Sequence, residues 1–229
     1  MALKGIIFDL DGTLISLHVD GGAFRKEITG ELARAGFRMD LIGATSKGVY
    51  VQDILDRARS QVEEGLVKAD FELVRSRTFR ALDALEVEWI QHSRLLPGAE
   101  AILSRLSAEG KVPITLAILT NSGRAATEYA LEGLGLGRYF PNSFTRDDLP
   151  AMKPRPEGIT TALKVLALDR SEVLYVGDSP TDIVASKRAG IRIASVATER
   201  YDLQTLAELN PDYTLGALSD LERLVPRLS

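Results

Sequence analysis

Four short polar segments hold the residues whose types and spacing could do chemistry. Asp9 and Asp11 stand two apart in Asp9-Leu10-Asp11-Gly12-Thr13, and Thr120-Asn121-Ser122-Gly123 forms the second segment. Lys153 opens Lys153-Pro154-Arg155-Pro156, and Asp178 and Asp182 bracket the fourth segment, Asp178-Ser179-Pro180-Thr181-Asp182. Together they offer four carboxylates, one lysine, and hydroxyl and amide donors. Two ionised carboxylates about 5 Å apart repel by about 3 kcal/mol at an effective dielectric of ~20, and one lysine cannot offset four such groups. A hard divalent cation with oxygen ligands can, and Mg²⁺ favours a few carboxylates with waters and a phosphate. Lys153, Thr120 and nearby backbone N–H groups could then hold phosphate oxygens. The cation and the lysine would stabilise charge during phosphoryl transfer. Each segment alone has a plainer reading. Paired acids are commonly solvated turn residues, Thr120-Asn121 could cap a helix, Asp178 and Asp182 could complement a helix N-terminus, and a lone lysine is usually on the surface. Only the joint pattern favours a site.

Three of the segments follow apolar runs that read as buried strands: Ile6-Ile7-Phe8, Ile114 to Leu119, and Val173 to Val176. In a parallel sheet their ends share one edge, where open α/β sheets bind ligands. Strand alternation predicts that Asp9 and Asp11 point to one side and Leu10 to the other. Phe140 to Phe144, weakened by Pro141, Ile191 to Val196 and Tyr213 to Leu215 are further strand candidates. Helices are expected after Pro97-Gly98 and closed by Gly110, through Tyr129 to Leu134, over Glu157 to Leu168, and over Thr181 to Ala189 with Gly190 as cap. This alternation implies an α/β fold with a parallel sheet flanked by helices. Residues 15–95 show no strong strand signal. Phe24, Ile28, Leu32 and Ala35, then Val51, Ile54, Leu55, Ala58 and Val62, then Phe71, Val74, Leu82, Leu85 and Trp89 recur at helical spacing. The expected organisation is a core of residues 1–14 and 96–229 with a small all-helical unit, 15–95, inserted after the first strand.

The chain has 229 residues, 45% hydrophobic, with 28 basic and 32 acidic side chains and a net charge of -4. That is ordinary globular composition, with no electrostatic footprint for nucleic acid. With no cysteine, disulfides, thiol catalysis and zinc–thiolate sites are excluded. No apolar run approaches ~20 residues and the first segment does not resemble a leader, so a soluble cytoplasmic protein without membrane partners is expected. Monomer and homodimer are equally open. Gly133-Leu134-Gly135-Leu136-Gly137 follows a helix and reads as a cap and turn, not a nucleotide loop. His18 and His92 read as surface or packing residues and Trp89 as core. Thr45-Ser46-Lys47-Gly48 reads equally as a linker or a substrate contact.

The four segments resemble, in type, order and approximate spacing, the four motifs of the haloacid dehalogenase (HAD) superfamily, the first matching its Asp-x-Asp-Gly-Thr box. The resemblance covers Leu3–Leu14 and Leu96–Leu221, and the insert is similar to the family's helical cap in position and character. It implies a Rossmann-like core and a Mg²⁺-dependent phosphatase acting on a small phosphorylated metabolite. Asp9 would be the nucleophile, forming an aspartyl phosphate, and Asp11 the general acid/base. The Asp9 carboxylate, the Asp11 backbone carbonyl and Asp178 would bind Mg²⁺. Thr120, Asn121 and Lys153 would bind the phosphate, with Thr13, Gly123 and Asp182 in support. Asp182 would hold a metal water or orient Lys153. Asp11 separates this chain from the dehalogenases, which lack an acid there. Ser16 stands where the family often has an acid, and Lys111 to Thr115 is slightly long. Asn210-Pro211-Asp212-Tyr213 resembles phosphoglycolate-phosphatase-like members, which makes phosphoglycolate the leading substrate. A phosphomutase of the same superfamily and a phospho-accepting signalling module are the alternatives.

Overall fold

The computed structural model describes residues 2–17, 20–43, 49–108 and 114–228. His18, Thr45 to Gly48, and Gly110 to Pro113 lie outside the described residues. From the N-terminus the chain runs through β1 (Gly5–Phe8) and β2 (Ile15–Ser16), then α1 (Gly21–Arg34), α2 (Met39–Ile42), α3 (Val51–Glu63) and α4 (Phe71–Ile90). It continues through β3 (Arg94–Leu95), α5 (Ala99–Ala108), β4 (Thr115–Leu119), α6 (Arg124–Gly133), β5 (Asn142–Phe144) and α7 (Glu157–Leu166). The last elements are β6 (Val173–Gly177), α8 (Pro180–Ala189), β7 (Arg192–Val196), α9 (Leu203–Glu208), β8 (Tyr213–Leu215) and α10 (Leu221–Leu224).

Six strands form one sheet in the order β5-β4-β1-β6-β7-β8. Every pair is parallel, as strand–helix alternation requires. β1 lies between β4 and β6, with Ile7 level with both Ala117 and Tyr175. Alternation along β1 divides the core. Ile6 and Phe8 pack on one face with Ile118 and Val176, and Ile7 packs on the other with Ala117 and Tyr175. A strand buried on both faces needs apolar residues at every position, which explains the uninterrupted run before Asp9.

Between β2 and β3 the helices α1 to α4 bury a separate cluster that includes Ile28, Leu32, Ile54, Leu55, Val74 and Leu82. Met152, from the segment before α7, also enters it. Asp20 caps α1 by accepting from Gly22 and Ala23 N–H, and Asp70 caps α4 by accepting from Leu73 N–H. The chain enters and leaves this helical unit through β2 and β3, an antiparallel pair in which Ile15 faces Leu95. That pair was not expected from the sequence, since two residues per strand are too few to show a period.

Other boundaries shift by a few residues. β5 starts only after Pro141, and α7 stops at Leu166 because Ala167 adopts a left-handed conformation. Strand alternation does not relate Asp9 to Asp11, because β1 ends at Phe8 and Asp11 sits in the following turn. Trp89 is half-buried rather than core and packs against the Phe24 ring at 5.8 Å. His92 is exposed, and Gly135, with φ 67°, forms the expected turn after α6.

Candidate active site

Asp9 is the first residue beyond β1, and its N–H still bonds Val176 O of β6 at 2.8 Å. Its carboxylate Oδ1 accepts from Leu10 N–H at 2.8 Å and pairs with Lys153 Nζ at 2.8 Å. Lys153 also donates to Asp182 Oδ1 at 2.6 Å, to Tyr175 Oη at 2.9 Å and to Leu119 O at 3.2 Å. Asp182 is the third residue of α8. Its other oxygen accepts from Ser179 N–H at 3.0 Å and Ser179 Oγ at 2.6 Å, which closes a capping box. Both Asp182 oxygens are thus committed to the fold and to the lysine. Asp178, at the end of β6, receives only the Thr13 hydroxyl, at 3.2 Å, among the described residues.

Two glycines make this convergence possible. Gly12 has φ 86°, and a Cβ there would lie 2.5 Å from Asp178 Oδ2. A Cβ on Gly177 would lie 2.5 Å from Asp182 Cγ. Gly12→Ala would therefore force a left-handed alanine, at about 1–2 kcal/mol, and displace Asp178 as well. Thermal denaturation is expected to show the lost stability, and Mg²⁺ titration a weakened response. A variant that matches the parent in both would remove Gly12 from this role.

Asp11 stands on a separate shelf. Its Oδ2 accepts from the hydroxyls of Ser122 and, at 3.4 Å, Thr120. Its Oδ1 is shut off from solvent without a partner. Asn121 turns its side chain away to the lysine loop, donating through Nδ2 to Lys153 O at 3.0 Å and accepting from Lys153 N–H at 2.8 Å. Gly123 N–H is used by Glu86 Oε2 at 3.0 Å. The fold thus groups Asp9, Thr13, Lys153, Asp178 and Asp182 around the lysine amine and the acids. Asp11 and Thr120 meet beside them, and Asn121 and Gly123 act within the loops.

The electrostatics follow from burial. Burial pushes the Asp9 carboxyl well above its usual range, the Asp182 charge adds to this, and Lys153 opposes it. Burial also raises Asp11, against the hydrogen bond from Ser122. Burial alone would lower Lys153, but the Asp182 and Asp9 charges hold its amine well above the ordinary value. It therefore stays protonated and favours the ionised form of Asp9.

Carboxylate oxygens of Asp9, Asp178 and Asp182 lie within 4.8 Å of one another. One amine serves two of these acids, Asp178 has no cation against it among the described residues, and every donor is a hard oxygen. That donor set fits a hard divalent cation.

Asp178 is raised to about 7, first by burial and then by the Asp182 charge. Without metal, the folded protein keeps a proton there between about pH 4 and about pH 7 that the unfolded chain has released. The resulting stability is full below that window and is lost as pH rises through about 7. In chelator, the melting temperature is expected to be higher at about pH 5.5 than at about pH 8, with the slope flattened by Mg²⁺. A slope of the opposite sign would contradict the shift.

Sequence reasoning gave no role to Ser122, Tyr175, Glu86 or Arg146. Tyr175 lies within an apolar strand and Ser122 within a segment already marked. Arg146 follows β5 and is 1% exposed. Glu86 is 3% exposed and shares a face of α4 with Val74, Thr78, Leu82 and Ile90. An acid at the four-residue spacing of a buried stripe was the available signal.

The acids and the lysine meet at one edge of a parallel α/β sheet. The chain belongs to the haloacid dehalogenase-like hydrolases, whose family model matches residues 3–190. It is 31% identical to pyrophosphatase PpaX of Bacillus velezensis over 96% of this chain and 94% of that one. It is also 31% identical to phosphoglycolate phosphatase of Pectobacterium atrosepticum, over 98% of this chain and 93% of that one. A crystal structure of a candidate β-phosphoglucomutase from Thermotoga maritima superposes with a TM-score of 0.62 and 22% identity, covering 99% of this chain and 100% of that one. At that identity the likeness speaks for the fold. Among the described residues no helix is long and apolar enough to cross a membrane.

Proposed function

We propose that the chain is a Mg²⁺-dependent phosphatase that hydrolyses a small phosphomonoester through an aspartyl phosphate on Asp9. One observation carries this reading: a buried carboxylate stays paired with a protonated lysine beside a second acid, Asp178, that forms no ion pair among the described residues. The side chains of Asp9 and Asp178, with the Asp11 backbone carbonyl, would hold Mg²⁺. Bound there, the ion supplies the positive charge that lets an anionic phosphoryl group meet an anionic nucleophile.

The remaining chemistry belongs to the chain. An Asp9 carboxylate oxygen attacks phosphorus and the bond to the leaving oxygen breaks. Asp11, whose carboxyl is favoured in the protonated form by burial, gives its proton to the leaving oxygen. Asp11, now a carboxylate, takes a proton from water as its oxygen attacks the same phosphorus, and the bond to Asp9 breaks. Lys153, the Thr120 hydroxyl and the Asn121 N–H hold the phosphoryl oxygens, and Asp182 orients Lys153. Residues 15–95 act as a cap over a core of 1–14 and 96–229, excluding water until substrate is placed.

Phosphoglycolate is the leading substrate, and the relative named a pyrophosphatase puts pyrophosphate beside it in any screen. The decisive test is steady-state phosphate release from a panel of phosphomonoesters and pyrophosphate, with and without Mg²⁺. Metal-dependent release from a small monoester is expected. Isomerisation without release would support a mutase. Stable phosphorylation of Asp9 without turnover would support a signalling module. The same site in a cytoplasmic enzyme needs no nucleic acid or membrane partner.

A further inference from the structure

Glu86 and Arg146 form a buried pair that joins helix α4 to the loop carrying Thr120 and Asn121. Arg146 Nη1 donates to Glu86 Oε1 at 2.8 Å and to Asn121 O at 3.3 Å, and its Nη2 donates to Glu86 Oε2 at 2.6 Å and to Asp83. The Arg146 backbone N–H bonds Ser122 O at 3.1 Å. Glu86 Oε2 accepts from Gly123 N–H at 3.0 Å. Three successive residues of one loop are therefore held by two residues that touch none of the proposed reacting atoms. The fit is close, since a Cβ on Gly123 would lie 1.8 Å from Asp83 Oδ1 and 2.6 Å from Arg146 Nη2.

A buried ion pair is weak ground for stability, because well-packed apolar residues of similar size often serve as well or better. What an apolar pair cannot do is accept from Gly123 N–H and donate to Asn121 O. We infer that Glu86 and Arg146 are positioning residues for the phosphate-binding loop, so that its competence depends on α4 being seated against it. This rests on the phosphatase reading above. One half of the pair comes from the helical insert and the other from the sheet domain. The pair thus makes the placement of the insert a condition for the placement of Thr120, Asn121 and, through the Ser122 hydroxyl, Asp11.

The test compares full-length protein, Glu86→Met, the double variant Glu86→Met/Arg146→Met, and Asp83→Asn. Asp83 pairs with Arg146 but bonds no loop backbone. Binding of inorganic phosphate in Mg²⁺ is read by calorimetry, stability by denaturation, and kcat and KM by phosphate release. The double variant is expected to recover part of the stability that Glu86→Met loses, yet to bind phosphate and turn over about a hundredfold more weakly than the parent. Asp83→Asn is expected to bind phosphate within about twofold of the parent. A folded double variant that binds phosphate like the parent overturns the inference, because the pair would then be structural only. If the double variant does not fold, Arg146→Lys keeps the charge but cannot span Glu86 and Asn121 O. Unchanged phosphate affinity in that variant overturns the inference equally. A parent protein that neither binds nor releases phosphate overturns the phosphatase reading, and this inference with it.

Discussion

Asp9→Asn is expected to lower turnover on the order of a millionfold, the scale seen when a nucleophile is removed from a covalent mechanism. Asparagine has almost the same shape and can still accept from Leu10 N–H, so the geometry of the loop should survive. Its amide oxygen is a poor nucleophile toward phosphorus. The same substitution has an expected opposite sign for stability. Burial and the Asp182 charge both make ionised Asp9 unfavourable in the metal-free protein. A neutral amide removes that cost and leaves Lys153 paired with Asp182. In chelator the variant should therefore melt no lower than the parent. Turnover measured beside thermal denaturation checks both parts. Retained activity would exclude Asp9 as nucleophile, and a marked loss of stability would mean that its charge serves the fold.

Lys153→Met is expected to harm both fold and activity. Lys153 is 4% exposed and holds Asp9 and Asp182, which are 7% and 0% exposed. Removing one partner of a buried charge pair leaves the other uncompensated and typically costs about 3–5 kcal/mol. Here two carboxylates would be left facing each other. The Asp9 carboxyl, already held above its usual range by burial, would rise further without the lysine, so lost stability should return as pH falls and Asp9 protonates. Mg²⁺ should also restore part of it by binding only the folded state. Turnover should fall by at least about a thousandfold, because a charge-stabilising donor at the phosphoryl group is lost. Chemical denaturation in chelator at two pH values, with and without added Mg²⁺, separates these contributions. A variant as stable as the parent at neutral pH would show that the pair is solvated in solution.

These two residues also show what the sequence made legible. Ile6-Ile7-Phe8 followed by Asp9 and a glycine turn is a local pattern, and so are the runs ending at Thr120 and Asp178. The parallel topology follows from their alternation with helices, which is why all six strands run parallel as expected, whereas their order across the sheet was not legible. The reason for grouping Asp9 with Asp11 did not carry over, since β1 ends one residue before Asp9. It is the turn, closed by Gly12 N–H on Ile15 O at 2.8 Å, that places Asp11. Short elements such as β2, β3 and α2 left no trace because two to four residues carry no readable period. The Glu86–Arg146 pair was missed for another reason. Its residues are sixty positions apart, and nothing in the sequence links them. Glu86 did interrupt a stripe otherwise buried at Leu82 and Ile90, and an acid in that place needs a partner.

The central claim is that Asp9 becomes phosphorylated during turnover. Borohydride added to the working enzyme reduces an acyl phosphate to an alcohol, which converts a phosphorylated aspartate into homoserine that peptide mass analysis can locate. Homoserine at position 9, formed only when substrate and Mg²⁺ are both present, is the expected result. Phosphate release with the Asp9 peptide unaltered, or with the label on another residue, would contradict it.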